Sequence, residues 1–221
     1  MTSWTALREG FDAFTRQLPL LLGVVMMLLA VQQVIDLLIP DSLVWLESIV
    51  TMIVLSPLYA GQYLIALKVV RREPVVFKEL FSGISQIGPI VGAYSLVTLL
   101  TALGFIALVI PGIIVALAYS FTLIRFLDPR SEADVLRATD AMRDSVRITR
   151  GYRGTLFGIG FLLAIPLVFV VILQTLSFNN PLLPTWISEL VALFSGALFF
   201  GPVQATSYMV VYDHAVNHPR G

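Results

Sequence analysis

The chain has no cysteine and only two histidines, which removes disulfides, thiolate metal centres and thiol nucleophiles from its repertoire. Charge is scarce: 13% of residues are Asp, Glu, Lys or Arg, about half the share usual in a soluble domain. Catalytic signatures are missing too, with no glycine-rich phosphate loop, no serine elbow and no paired carboxylates beside a histidine. Neither an enzyme nor a cofactor is expected. Positive charge is absent altogether from one side of the hydrophobic stretches, and that absence carries an address.

Apolar surface is what the chain has in excess. At 57% hydrophobic, 221 residues cannot hide so much of it in a core of their own, so lipid has to act as solvent. Apolar runs at about residues 18–39, 43–70, 88–103, 105–127, 155–178 and 186–212 approach the ~20 residues that a helix needs to cross hydrocarbon. The expected fold is all-α: one polytopic membrane domain over residues 1–221, with about six transmembrane helices.

All fourteen basic residues, from Arg8 to Arg220, fall on one side of these runs. Lys68, Arg71, Arg72 and Lys78 share one connection; Arg125, Arg130, Arg137, Arg143, Arg147, Arg150 and Arg153 share the next. The opposite connections hold acids alone, namely Asp36, Asp41, Glu47 and Glu189. Because basic loops stay in the cytoplasm, an even number of spans predicts a multi-pass protein of the bacterial inner membrane with both termini cytoplasmic. A formal net charge of zero conceals this asymmetry. No small-x-small cleavage pattern follows the first apolar run, and Glu9 and Asp12 precede it, so the first helix is expected to be retained.

The sequence resembles itself at fixed offsets. A shift of 70 lays Arg8, Glu9, Phe11 and Pro19 on Lys78, Glu79, Phe81 and Pro89, and a shift of 135 lays Ala6, Arg8, Glu9 and Gly23 on Ala141, Arg143, Asp144 and Gly158. Among the return spans, a shift of 145 maps Pro57, Ala60, Tyr63 and Pro74 onto Pro202, Ala205, Tyr208 and Pro219, with Pro111, Tyr119 and Pro129 as a looser middle copy. Three units follow, at 1–70, 71–130 and 131–221, each an amphipathic helix followed by a transmembrane hairpin. Since each crosses twice, the repeats are expected to be parallel, related about an axis along the membrane normal.

In the third amphipathic helix Val135, Thr139, Met142, Val146 and Thr149 share one face, and Arg137, Asp140, Arg143, Asp144 and Arg147 another. Ser131 and Asp134 suit its start as a capping-box variant, and the helix is expected to lie flat at the inner headgroups. Small residues four apart, Gly88 with Gly92 and Gly154 with Gly158, permit close helix packing, within the chain or between copies. Pro57 and Pro202 read as mid-span kinks. Pro111-Gly112 reads as an outer turn, with a kink as the alternative.

Few polar groups lie within the spans. Asp36, with Gln32 and Gln33, sits close to the outer interface, where its carboxylate reaches water. Gln62 and Gln204, together with Asp36, are candidates for a polar path. Arg125 either snorkels or pairs with Asp128. His214 and His218 have the spacing of two zinc ligands on a helix face, but a third ligand is not apparent, so no metal site is assigned.

The stretch Ile110-Pro-Gly-Ile-Ile-Val-Ala-Leu-Ala-Tyr-Ser-Phe, then Asp128, then Ala141-Met-Arg-Asp-Ser-Val-Arg-Ile-Thr-Arg-Gly-Tyr-Arg-Gly-Thr-Leu-Phe, resembles a pattern of bacterial integral membrane families. These include the YciC-like proteins and the membrane domain that precedes glycerophosphoryl diester phosphodiesterases. The resemblance spans about residues 57–212 and implies a helical inner-membrane fold; the phosphodiesterase activity resides in a soluble domain and is not carried over.

Together these features predict a non-enzymatic membrane protein whose cytoplasmic amphipathic helices organise lipid or dock a partner, either another protein or a second copy. Lys78, Arg137, Arg143, Arg147, Arg150 and Arg153 are the residues expected to make that contact. Membrane lipids are the expected ligands and nucleic acid is not. The alternative is a small-molecule or lipid transporter, its cavity lying between the helices that carry Pro57, Pro111 and Pro202.

Overall fold

The computed structural model describes residues 1–129, 137–178 and 199–218. Among them every regular element is helical. Helix α1 (Ser3–Arg16) starts at a capping box in which the Thr2 and Thr5 side chains exchange hydrogen bonds with each other's backbone N–H, which satisfies two donors that a helix start leaves open. Helices α2 (Leu18–Leu38) and α3 (Val44–Arg71) follow, joined by a 3-10 turn at Asp41–Leu43. A 3-10 segment, Phe77–Gln86, leads into α4 (Ile87–Ala107), and α5 (Val109–Ala118) comes next. The remainder are a 3-10 turn at Ile124–Phe126, α6 (Ala138–Thr149), α7 (Arg153–Phe178) and α8 (Gly201–Asn217).

Three helical stretches, Leu18–Leu38, Val44–Arg71 and Phe77–Ala107, are long and apolar enough to cross a membrane. Their side chains are left facing outward to an extent that water would not tolerate: Leu37 is 86% exposed and Ile106 81%, as expected where lipid is the solvent.

The expected run over 105–127 is not one helix. Helix α4 continues to Ala107, the backbone is extended at Leu108, and α5 turns back so that Gly104 lies against Gly112. The break therefore precedes the Pro111-Gly112 pair by three residues. Pro111 falls in the first turn of α5, where a missing N–H removes no helix bond, and Gly112 has no room for a side chain because Phe105 would meet it. Helix α5 ends at Ala118, and Phe121, Ile124 and Arg125 are buried in turns beyond it.

Pro57 is inside a continuous α3, whereas Pro202 lies in the first turn of α8, just after a π-helical turn at Phe199 and Phe200. Pro57 thus lies within a helix, whereas Pro202 stands at the start of one and not in its interior. The Pro57 carbonyl receives the close approach of Gly83, and Pro202 occupies a position where proline is tolerated.

The amphipathic segments press their small residues onto other helices. A Cβ added at Gly10 would run into Ser207, one at Gly61 into the Leu80 carbonyl oxygen, and one at Gly83 into the Pro57 carbonyl oxygen. Thus α1 packs on α8, and the 3-10 segment on α3. Helix α6 follows suit: Ser145 Oγ donates to the Ala118 carbonyl at 2.9 Å and accepts from the Phe121 N–H at 3.1 Å. Its buried face is Ala141, Met142, Ser145 and Thr149, so it seats on protein with Thr139 exposed. That rotates the face inferred from hydrophobicity, because Ser145 and Thr149 satisfy a helix-end carbonyl that would otherwise be orphaned. Helix α6 begins after Arg137; the Ser131 and Asp134 cap lies outside the described residues.

Candidate functional site

Two features stand out: a buried chain of ion pairs and hydrogen bonds, and a polar cleft some distance above it.

The first starts at the end of α3. Arg71 is sealed, with 3% of its side chain exposed. Its Nη1 and Nη2 donate to Asp128 at 2.8 and 3.3 Å, and its Nε donates to Asp213 at 2.6 Å. Tyr212 donates its hydroxyl to Asp128 at 2.9 Å and accepts from Arg125 Nη1 at 3.4 Å. Arg125 Nη2 then reaches Asp144 at 2.7 Å, and Arg147 bridges the same carboxylate at 3.0 Å. The run ties α3, the turn after α5, α6 and α8 to one another. Lys68 and Glu79 form a separate bridge between α3 and the 3-10 segment. Buried charges require this kind of saturation, since taking a charge out of water costs several kcal/mol unless a partner compensates.

Arg125 accordingly pairs with Asp144 and not with its neighbour Asp128, which Arg71 occupies. The charge asymmetry of the sequence marked the region, but the partners are far apart along the chain and no local spacing identifies them.

The cations expected to make the lipid or partner contact behave differently. Lys78, Arg137, Arg143, Arg147 and Arg150 are exposed, and Arg153 is half-buried at the start of α7. Asp144 and Arg147, three residues apart on α6, form an ion pair. Large apolar side chains are exposed on the amphipathic segments as well: Trp4 (66%) and Phe11 on α1, and Phe77, Phe81 and Ile84 on the 3-10 segment.

The cleft lies between α2, α3 and α8 and has a volume of about 370 Å³. Gln32, Tyr59, Gln62, Tyr63, Gln204 and Tyr208 supply its polar wall, and Val25, Leu28 and Leu29 its apolar one. It unites Gln62 with Gln204, while Asp36 stays outside. Asp36 is exposed one turn further along α2, where it accepts hydrogen bonds from Gln32 Nε2 at 2.6 Å and Gln33 Nε2 at 3.4 Å. Tyr59 and Tyr208 were not marked as polar-path residues by the sequence; aromatic residues within an apolar run carry no signal that distinguishes a cleft wall from a lipid-facing side.

His214 and His218 stack on each other with ring centroids 4.7 Å apart, and Tyr152 meets His214 edge-on. Among the described residues no group of three His, Asp or Glu side chains is arranged to hold a metal ion.

Comparison with known proteins adds no name to this geometry, for the chain matches no family model, no curated protein and no solved structure.

Proposed function

We propose that the chain is a six-span inner-membrane protein, without enzymatic activity, whose three cytoplasmic amphipathic segments form a collar that gathers anionic lipid or docks a partner protein. One observation carries the reading: the inner cations divide into a sealed, paired set and an exposed set. Arg71 and Arg125 are consumed by carboxylates inside the protein, whereas Lys78, Arg137, Arg143, Arg147 and Arg150 face outward. Basic residues at the inner leaflet contribute on the order of 1 kcal/mol each toward anionic headgroups. Exposed Trp4 and Phe11 suit the same boundary, where aromatic rings sit at headgroup level.

The triplicated hairpin is supported by contacts that correspond under the sequence offsets. The shift of 70 carries Gly10 onto Leu80, that of 135 carries Gly10 onto Ser145, and that of 145 carries Gly61 onto Thr206. Thr206 Oγ1 donates to the Gly10 carbonyl at 2.8 Å, and Leu80 abuts Gly61. In both cases an amphipathic segment meets the return helix of the preceding unit at matching positions, unit one closing on unit three. Ser145 against Ala118 repeats the relationship in the third place. The resemblance to YciC-like membrane families fits the same architecture.

The test is a triple charge reversal, Arg143→Glu, Arg147→Glu and Arg150→Glu, in the full chain. Phosphatidylglycerol retained per protein through purification, measured by mass spectrometry, should fall, or a partner recovered in pull-downs should be lost, with membrane insertion unchanged. Equal lipid retention and equal partner recovery would overturn the collar.

A further inference from the structure

We infer that the cleft between α2, α3 and α8 is a binding site for an uncharged, hydroxyl-bearing molecule: the head of a neutral lipid or a small soluble polyol. This does not depend on the collar, and none of the exposed arginines takes part in it.

Depth comes first. Gln62 precedes Arg71 by nine residues on α3, and Gln204 precedes Asp213 by nine on α8. Arg71 and Asp213 are themselves paired, so the two amides share a level about 13 Å along the helices from that ion pair. Tyr59 and Gln32 extend the polar wall further from it. Such a level lies within the apolar part of each helix, where a polar group without a partner costs several kcal/mol.

The partners are lacking from within. Among the described residues, the side chains of Gln62, Tyr59 and Tyr63 hydrogen-bond to no other protein group. Gln32 directs one amide N–H to Asp36, and Tyr208 donates its hydroxyl to the Leu156 carbonyl. The open face of the cleft therefore offers amide carbonyls, amide N–H groups and phenol hydroxyls in the same small space.

The chemistry of the guest follows. No charged side chain lines the cleft, so a cation would meet no carboxylate and an anion no guanidinium or ammonium group. A hydroxyl both donates and accepts, which a mixed wall of amides and phenols satisfies in either direction. Val25, Leu28 and Leu29 opposite provide the apolar surface for a carbon skeleton, and about 370 Å³ is at the small end of ligand sites.

The experiment uses the full chain and two probes. In nanodiscs, a diazirine-bearing dioleoylglycerol is photoactivated and its attachment sites are mapped by mass spectrometry, with a diazirine-bearing phosphatidylglycerol as the charged comparison. In proteoliposomes, glycerol entry is followed by osmotic swelling. Gln62→Leu with Gln204→Leu removes two hydrogen-bonding groups at nearly constant volume, which corresponds to about tenfold weaker binding. Labelling by dioleoylglycerol, but not by the anionic probe, within residues 25–32, 59–63 or 201–208, and its loss in the double variant, identifies a lipid head. Accelerated glycerol entry that the double variant abolishes identifies a soluble polyol. Leu29→Trp, which fills the space from α2, should reproduce either loss and serves if the double variant misfolds. Absence of both signals, or signals unchanged in both variants, overturns the site.

Discussion

Arg71 and Asp128, separated by 57 residues in the sequence, meet side by side through two parallel hydrogen bonds with 3% and 0% of their side chains exposed. The pair is the centre of the buried network, because Asp213 and Tyr212 attach to it from α8. A salt bridge of this kind is weak evidence for stability as a whole, but removal of Asp128 leaves the buried Arg71 charge with Asp213 alone to compensate it.

Asp128→Asn should therefore destabilise the protein by about 3–5 kcal/mol. Tyr212→Phe removes only a hydroxyl and should cost about 1–3 kcal/mol, since it leaves the Arg71 pair intact. Unfolding in detergent with increasing sodium dodecyl sulfate measures both. Equal losses for the two variants would mean that the carboxylate charge is not the central element.

Asp144 divides its oxygens between a buried arginine and an exposed one, and that contrast gives a second prediction. Arg125→Leu should cost several kcal/mol because Asp144 and Tyr212 lose their buried partner. Arg147→Leu, at a side chain 78% exposed, should change stability by less than about 1 kcal/mol. The same unfolding assay ranks the two, and a larger loss for Arg147→Leu would contradict the network.

How much of this was legible beforehand depends on the range of the interaction. The long helices at 18–38 and 44–71 follow from uninterrupted apolar runs, and the amphipathic character of α1 and α6 from local periodicity. The stretch 105–127 was misread as one continuous helix because hydropathy records burial without recording shape: Phe121 and Ile124 are as buried in turns as they would be in a helix. Arg125 has Asp128 three residues away, and only the tertiary fold reveals that Arg71 claims that carboxylate. Gln62 and Gln204 stood out as amides in apolar surroundings; their union with Gln32 and three tyrosines required the packing of α2 against α3 and α8.

Glycine positions separate packing from mere flexibility. A Cβ at Gly61 or Gly83 would run into backbone carbonyl oxygens, whereas at Gly88 and Gly92 it would meet nothing within 4 Å. Gly61→Ala and Gly83→Ala should each destabilise by about 1–3 kcal/mol through overpacking. Gly88→Ala and Gly92→Ala should be neutral or stabilise by up to about 1 kcal/mol, because alanine is the better helix former. Thermal aggregation onset in detergent distinguishes the groups. If Gly88→Ala proved as harmful as Gly61→Ala, the open side of α4 would have to be covered by another molecule.

The orientation of the whole arrangement can be tested with the residue that the chain lacks. Because there is no native cysteine, single cysteines introduced at Arg72, Leu108 and Arg147 report on their own positions without background. Arg72 follows α3 in a left-handed conformation, with its N–H capping the last turn; cysteine is no worse than arginine at that φ. Leu108 is 70% exposed at the break between α4 and α5, and Arg147 is exposed on α6. Retention of basic segments in the cytoplasm predicts that Arg72→Cys and Arg147→Cys resist a membrane-impermeant maleimide in intact cells and react after lysis. Leu108→Cys should react from outside. Labelling of Arg72→Cys and Arg147→Cys from opposite sides would remove the common inner face, and with it both the collar and the repeat of three hairpins.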